Sequence, residues 1–168
     1  MASINYRSEV LSSDPDTIER LIRSSGFFYE NEIPVARSLA EETLQQGEKS
    51  GYKFIFAEQD GKTVGYAAYG FVDGTDATYD LYWIAVDDSL RGKGIGKGIL
   101  LKLIQSLKEE NARHLIAETS SLKKYDPTRN FYLKTGFVQQ AVLPDFYRLG
   151  DDKIFFVLKL NSLTPANS

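Results

Sequence analysis

Apolar and polar positions along this chain follow two rhythms, and each change of rhythm marks an element. Residues 4–10 alternate loosely and predict a short first strand at a sheet edge. Asp14-Pro15 then predicts a helix start, with Asp14 as N-cap and proline in the first turn, and Ile18, Leu21 and Ile22 form its apolar stripe. Phe27, Phe28 and Tyr29 form an aromatic cluster suited to closing a core or lining a pocket. A second helix is predicted over 34–46, with Val35, Leu39, Ala40 and Leu44 inward and Glu41, Glu42 and Gln45 outward. Residues 52–57 and 64–71 read as strands joined by an Asp60-Gly61 hairpin turn. A turn at Gly74 leads to a third antiparallel strand that ends in the apolar run 81–86. From Ile99 the period becomes helical, with Leu100, Leu103, Ile104 and Leu107 on the same face. Residues 114–118 form a short strand reached by a crossover, which implies parallel pairing. A short helix over 126–136 and strands over 138–142 and 153–160 follow, the strands joined by a loop holding Pro144, Asp145, Phe146, Tyr147, Asp151 and Asp152.

Composition narrows the class. With 168 residues, 42% of them hydrophobic, the chain is sized for one folded domain over residues 1–160, and 161–168 read as a flexible polar tail. A net charge of −3 argues against nucleic acid as the main partner. There is no cysteine and a single histidine, His114, so a thiolate site, a histidine-rich metal centre and a Ser-His triad are all disfavoured, and no metal is expected. No run approaches the roughly 18 apolar residues of a spanning helix, so no membrane role is expected and the cytoplasm is the default location.

The candidate chemistry lies between the run 81–86 and the helix after it. Glycines at 92, 94, 96 and 98 alternate with cations at 91, 93 and 97, directly before a helix. Glycine lets backbone approach a ligand closely, and a helix start offers unpaired N–H groups and a positive dipole end, so the segment is suited to a phosphate. Its spacing fits neither the dinucleotide Gly-x-Gly-x-x-Gly pattern nor the mononucleotide loop. It does fit Arg-x-x-Gly-x-Gly, as Arg91, Gly94 and Gly96. That resembles the acetyl-coenzyme A pyrophosphate loop of the GCN5-related N-acetyltransferase (GNAT) superfamily. A second element, Asn130-Phe131-Tyr132 followed by Gly136-Phe137, is similar to the family segment whose tyrosine faces the cofactor sulfur.

The resemblance spans the chain to about Leu160 and implies an α/β GNAT fold, a mixed central sheet of six or seven strands flanked by about four helices. It implies an N-acetyltransferase that moves the acetyl group of acetyl-CoA to an amine by direct attack; the alternative is a non-catalytic module that senses a CoA thioester. Arg91, Gly92, Lys93, Gly94, Ile95, Gly96 and Lys97 would hold the pyrophosphate, Ile84, Ala85 and Val86 would pair with the pantetheine arm, and Asn130 would contact that arm. Tyr132 would be the general acid. Asp80 sits where histone-acetyltransferase-type members carry a glutamate base; Glu118 is its rival, and deprotonation by water with no dedicated base is the third alternative. The acceptor would be an amine-bearing small molecule or a peptide or protein amine, bordered by the aromatic and acidic residues of the 144–152 loop and Tyr125. Many members form homodimers, and this chain is expected to be able to do the same.

Overall fold

The computed structural model describes residues 2–160. Its elements are β1 (Asn5–Arg7), α1 (Asp14–Ser25), α2 (Ile33–Gln46), β2 (Tyr52–Gln59), β3 (Lys62–Phe71), β4 (Thr78–Val86), α3 (Ile95–Glu109), β5 (His114–Ser120), α4 (Asp126–Lys134), β6 (Val138–Arg148) and β7 (Asp151–Lys159). The strands form one mixed sheet in the order β1-β2-β3-β4-β5-β7-β6. Two compact units divide the chain. One comprises the residues up to Gly70 with Tyr82–Leu103, the other Phe71–Leu81 with the residues from Ile104 on.

In the first unit, β2 and β3 form the expected hairpin, with Asp60 at φ 50 and Gly61 at φ 74. Both central residues are left-handed, as a turn matching the twist of the strands requires. The core gathers Ile18, Leu21 and Ile22 of α1 and Ile33, Ala36, Leu39 and Ala40 of α2 onto Phe54, Phe56 and Tyr66. Fully burying one of the larger aliphatic or aromatic side chains contributes about 1.5–3 kcal/mol. The α2 stripe is thus anchored by Ile33 and Ala36, not by the expected Val35 and Leu44, which are exposed at 54% and 43%. Val35 is rotated off the stripe, and Leu44 lies a turn beyond its last buried residue.

Asp14 also departs from expectation. Ser13 is the N-cap of α1 and makes no side-chain cap bond. Asp14 is instead the first helical residue, 1% exposed. Its carboxylate accepts hydrogen bonds from Arg7 Nη1 (2.7 Å) and Nη2 (2.8 Å) and from the Leu11 N–H (2.7 Å).

In the second unit, β5 runs parallel to β4, as the crossover predicts, and antiparallel to β7. The expected loop after residue 142 is instead part of β6, which is exposed along its length. The β6–β7 ladder pairs Leu143 with Lys153 and then Arg148 with Asp151, so residues 144–147 bulge opposite Asp152. Pro144 has no N–H for a ladder, and Asp145 takes φ 54, its N–H donating to Asp152 Oδ1 (2.9 Å). The expected tail, 161–168, lies outside the described residues. Among those described, no helix is long and apolar enough to cross a membrane.

Candidate active site

The glycine segment turns the chain from β4 into α3. Gly92 (φ 78) and Gly94 (φ 80) are left-handed, and α3 begins at Ile95, about one turn earlier than the apolar period from Ile99 implies. The first helical bond runs from Gly98 N–H to the Gly94 carbonyl (3.0 Å). The amides of Ile95, Gly96 and Lys97 therefore stand at the helix start without intrahelical partners, where the dipole is positive. Lys93 and Lys97 are exposed beside them, while the Ile95 side chain is buried.

Arg91 is anchored. Its guanidinium packs 4.5 Å over the Phe27 ring and pairs with Asp88 at 2.8 Å, next to the end of α1. One of the three clustered aromatics thus supports the loop, and Phe28 stacks edge-on against Trp83 at 5.2 Å.

Gly98 belongs to the helix and answers to packing. A Cβ there would lie 2.2 Å from the Tyr6 hydroxyl and 3.4 Å from its Cζ. Gly98→Ala is therefore expected to cost about 1–2 kcal/mol in denaturant unfolding. In a Tyr6→Phe background the sign should reverse, because alanine then keeps its helical advantage of about 1 kcal/mol. Equal effects in both backgrounds would show that the hydroxyl does not set the requirement.

The second group of residues is ordered by strand register. The β4–β5 ladder runs from Thr78↔His114 to Leu81↔Ala117, while β4 continues to Val86 and β5 to Ser120. Asp80 pairs with Ile116, Ile116 with Val157, Glu118 with Phe155 and Ser120 with Lys153, so Asp80, Glu118 and Lys153 share one face. Leu115, Ala117, Ile154 and Phe156 point to the other face, where Tyr132 of α4 packs 5.5 Å from Phe156 and 5.0 Å from Phe137. The two candidate catalytic groups thus belong to opposite faces of the same strands.

Their environments differ. Asp80 is half-buried; burial raises its pKa, the charge of Glu118 adds to the rise and Lys153 opposes it. No hydrogen bond or ion pair engages its carboxylate among the described residues. Glu118 is paired with Lys153 Nζ at 2.5 Å. Tyr132 is 4% exposed, and burial pushes its phenol above the ordinary value. Its hydroxyl makes no hydrogen bond among the described residues, so the proton is retained and remains available to donate.

Asn130 is exposed on α4, two residues before Tyr132. Ile84 and Val86 are half-buried and Ala85 buried, at the end of β4. The residues grouped by sequence as an acceptor border differ in exposure. Tyr125 is 7% exposed and Asp151 1%, the latter accepting from Ser120 Oγ, whereas Phe146 and Tyr147 stand exposed on β6. His114 is half-buried at the start of β5.

Two residues escaped the sequence reading. Arg129 donates to the Ser120 (2.5 Å) and Leu122 (3.1 Å) carbonyls and pairs with Asp126, tying α4 to the end of β5. Its neighbour Asn130 lies in the recognised motif, but nothing local signals the carbonyls it reaches. Lys153 reads in sequence as the first residue of a strand; Glu118 and Phe146, which contact its ammonium, lie on β5 and β6.

The profile of the acetyltransferase (GNAT) family matches residues 17–137. The chain belongs to this family. No curated protein matches the sequence. Among solved structures, a Desulfovibrio desulfuricans protein assigned to the GNAT acetyltransferases is 42% identical, with a TM-score of 0.92 over 95% of this chain and 100% of that one. The ribosomal-protein-S18-alanine N-acetyltransferase of Escherichia coli shares the GNAT fold at 20% identity and a TM-score of 0.75, over 99% of each chain. YncA of Salmonella typhimurium, solved with acetyl-CoA, shares it at 18% identity and 0.74, over 98% of each chain. The seven-stranded sheet and four helices of the described residues are the GNAT architecture.

Proposed function

We propose that this GNAT protein transfers an acetyl group from acetyl-CoA to an amine by direct attack. The observation that carries the reading is the register: Asp80 and Tyr132 flank the same strands from opposite faces, one an unengaged carboxylate with raised pKa, the other a buried phenol that keeps its proton. The anion end of the donor would rest on the amides of Ile95, Gly96 and Lys97, with Lys93 and Lys97 adding charge. Beyond the β4–β5 ladder, Ile84, Ala85 and Val86 would offer their backbone to the pantetheine arm as an added strand.

The acceptor nitrogen attacks the thioester carbonyl and the C–N bond forms. Asp80 accepts the proton the nitrogen loses. The C–S bond then breaks, and Tyr132 donates its proton to the departing sulfur, to be reprotonated from solvent. An amine of pKa about 10.4 is mostly charged at neutral pH, so a carboxylate of raised basicity serves both to attract it and to deprotonate it.

Thermal unfolding with acetyl-CoA, ATP or NAD at matched concentration tests the donor half. At about 100 times its dissociation constant a ligand stabilises by roughly 2.7 kcal/mol, a shift of about 5–10 °C for a chain of this size. Acetyl-CoA alone should give it, and Gly94→Trp should abolish it. Thiol release with a panel of amines then tests turnover, which Tyr132→Phe should slow while keeping the thermal shift. A shift without turnover on any amine would favour the sensing module; no shift would end the reading.

A further inference from the structure

Lys153 is held from three sides. Its ammonium lies 2.5 Å from Glu118 Oε2, 4.1 Å from the centroid of Phe146 and 5.4 Å from that of Phe155, and its side chain is 15% exposed. Phe146 reaches it from the bulge at residues 144–147 and is braced edge-on by Tyr147 at 5.0 Å. A cation set between a carboxylate and aromatic faces is stabilised in place by both. Lys153 pairs in register with Ser120 and Glu118 with Phe155, so the ion pair runs diagonally across β5 and β7.

Two carboxylates on one face have equivalent claims to a proton unless something distinguishes them. Here the distinction is geometric: Glu118 is ion-paired and Asp80 is not. We propose that Lys153 is a positioning residue that ties up Glu118 and so assigns the role of base to Asp80, with the Glu118–Lys153 pair setting the field in which Asp80 works. The proposal rests on the acetyltransferase reading and deepens it.

Other charges around Asp80 leave the assignment intact. On the same face, His114 and Lys159 pair with each other at the far end of β5 and β7, and Asp151 is engaged by Ser120 Oγ. Glu118 and Lys153 are also the two charges that act on the titration of Asp80, in opposite senses.

The experiment is a pH titration of carboxylate carbons by NMR in the full chain labelled at aspartate Cγ, with the Asp80 signal identified by its loss in Asp80→Asn. The wild-type midpoint should lie above the usual aspartate range. Glu118→Gln should lower it, Lys153→Met should raise it, and Lys153→Arg, which keeps the charge, should leave it near wild type. Far-UV circular dichroism of each variant verifies that it is folded, and Lys153→Gln is the charge-neutral variant for the case in which Lys153→Met is not. A midpoint that stays put in both Glu118→Gln and a charge-neutral Lys153 variant, or moves the same way in both, overturns the proposal. With an amine found by thiol release, the acid limb of kcat/KM should move as the NMR midpoint does, and a limb that ignores it likewise overturns the assignment. Absence of turnover in the wild type would instead end the acetyltransferase reading, which the NMR titration does not require.

Discussion

Asp80→Asn is expected to lower kcat/KM for amine acetylation by roughly 10²-fold or more at neutral pH while raising the thermal midpoint. The size of the first effect is that of a lost general base. The sign of the second follows from linkage. Burial and Glu118 raise the folded-state pKa of Asp80 above its unfolded value, so between the two values the folded protein binds more protons. Stability therefore falls as pH rises through that window and stays lower at neutral pH, where the carboxylate is charged. Asparagine removes that cost and the basicity together. A carboxylate kept for structure would behave oppositely, since its removal would destabilise. In wild type, activity should decline as pH falls through the raised pKa, placing the acid limb above the usual aspartate range. Rates within about threefold of wild type in Asp80→Asn, or a lowered midpoint with full activity, would remove Asp80 from the mechanism.

The largest expected loss of stability lies far from that chemistry. Asp14→Ala should destabilise by about 3 kcal/mol, because one partner of a buried ion pair is removed while the other stays. For a chain of this length that corresponds to a fall in Tm of roughly 6–12 °C. Arg7 is the hub: besides Asp14 it pairs with Glu58 at 2.7 Å, bonds Thr63 Oγ1 at 3.3 Å and packs 4.2 Å over Phe56. It thereby joins β1 to the start of α1 and to the β2–β3 hairpin. Asp14→Ala also strands the Leu11 N–H. Asp14→Asn, which keeps the shape and an acceptor oxygen, should lose clearly less. Calorimetric scans decide it, and a loss below about 1 kcal/mol for the alanine variant would mean that Glu58 alone satisfies Arg7.

The difference between Asp14 as read and Asp14 as found typifies what sequence resolves. An aspartate before Pro15 fits a cap by local rules, and the helix does begin there. That its carboxylate meets Arg7 depends on where β1 is placed in the sheet. The same boundary runs through the α3 start. Apolar period marks Ile99 because Gly96 and Gly98 carry no apolar side chain, yet the helix begins a turn earlier; Gly98 answers to the Tyr6 hydroxyl, which no spacing reveals.

Sequence alone determined the element order, the Asp60-Gly61 turn, the amphipathic helix behind a glycine segment and the Asn130-to-Phe137 motif. Each of these rests on residues within a few positions of one another, where period and turn chemistry are decisive. Tertiary structure alone decided that Asp80 and Glu118 share a face while Tyr132 packs behind the other, and that Glu118 is taken by Lys153. Those relations follow from strand order and register and from a bulge that sends Phe146 over Lys153. A slip of one residue would exchange the faces, so they are properties of the assembled sheet and not of any one segment.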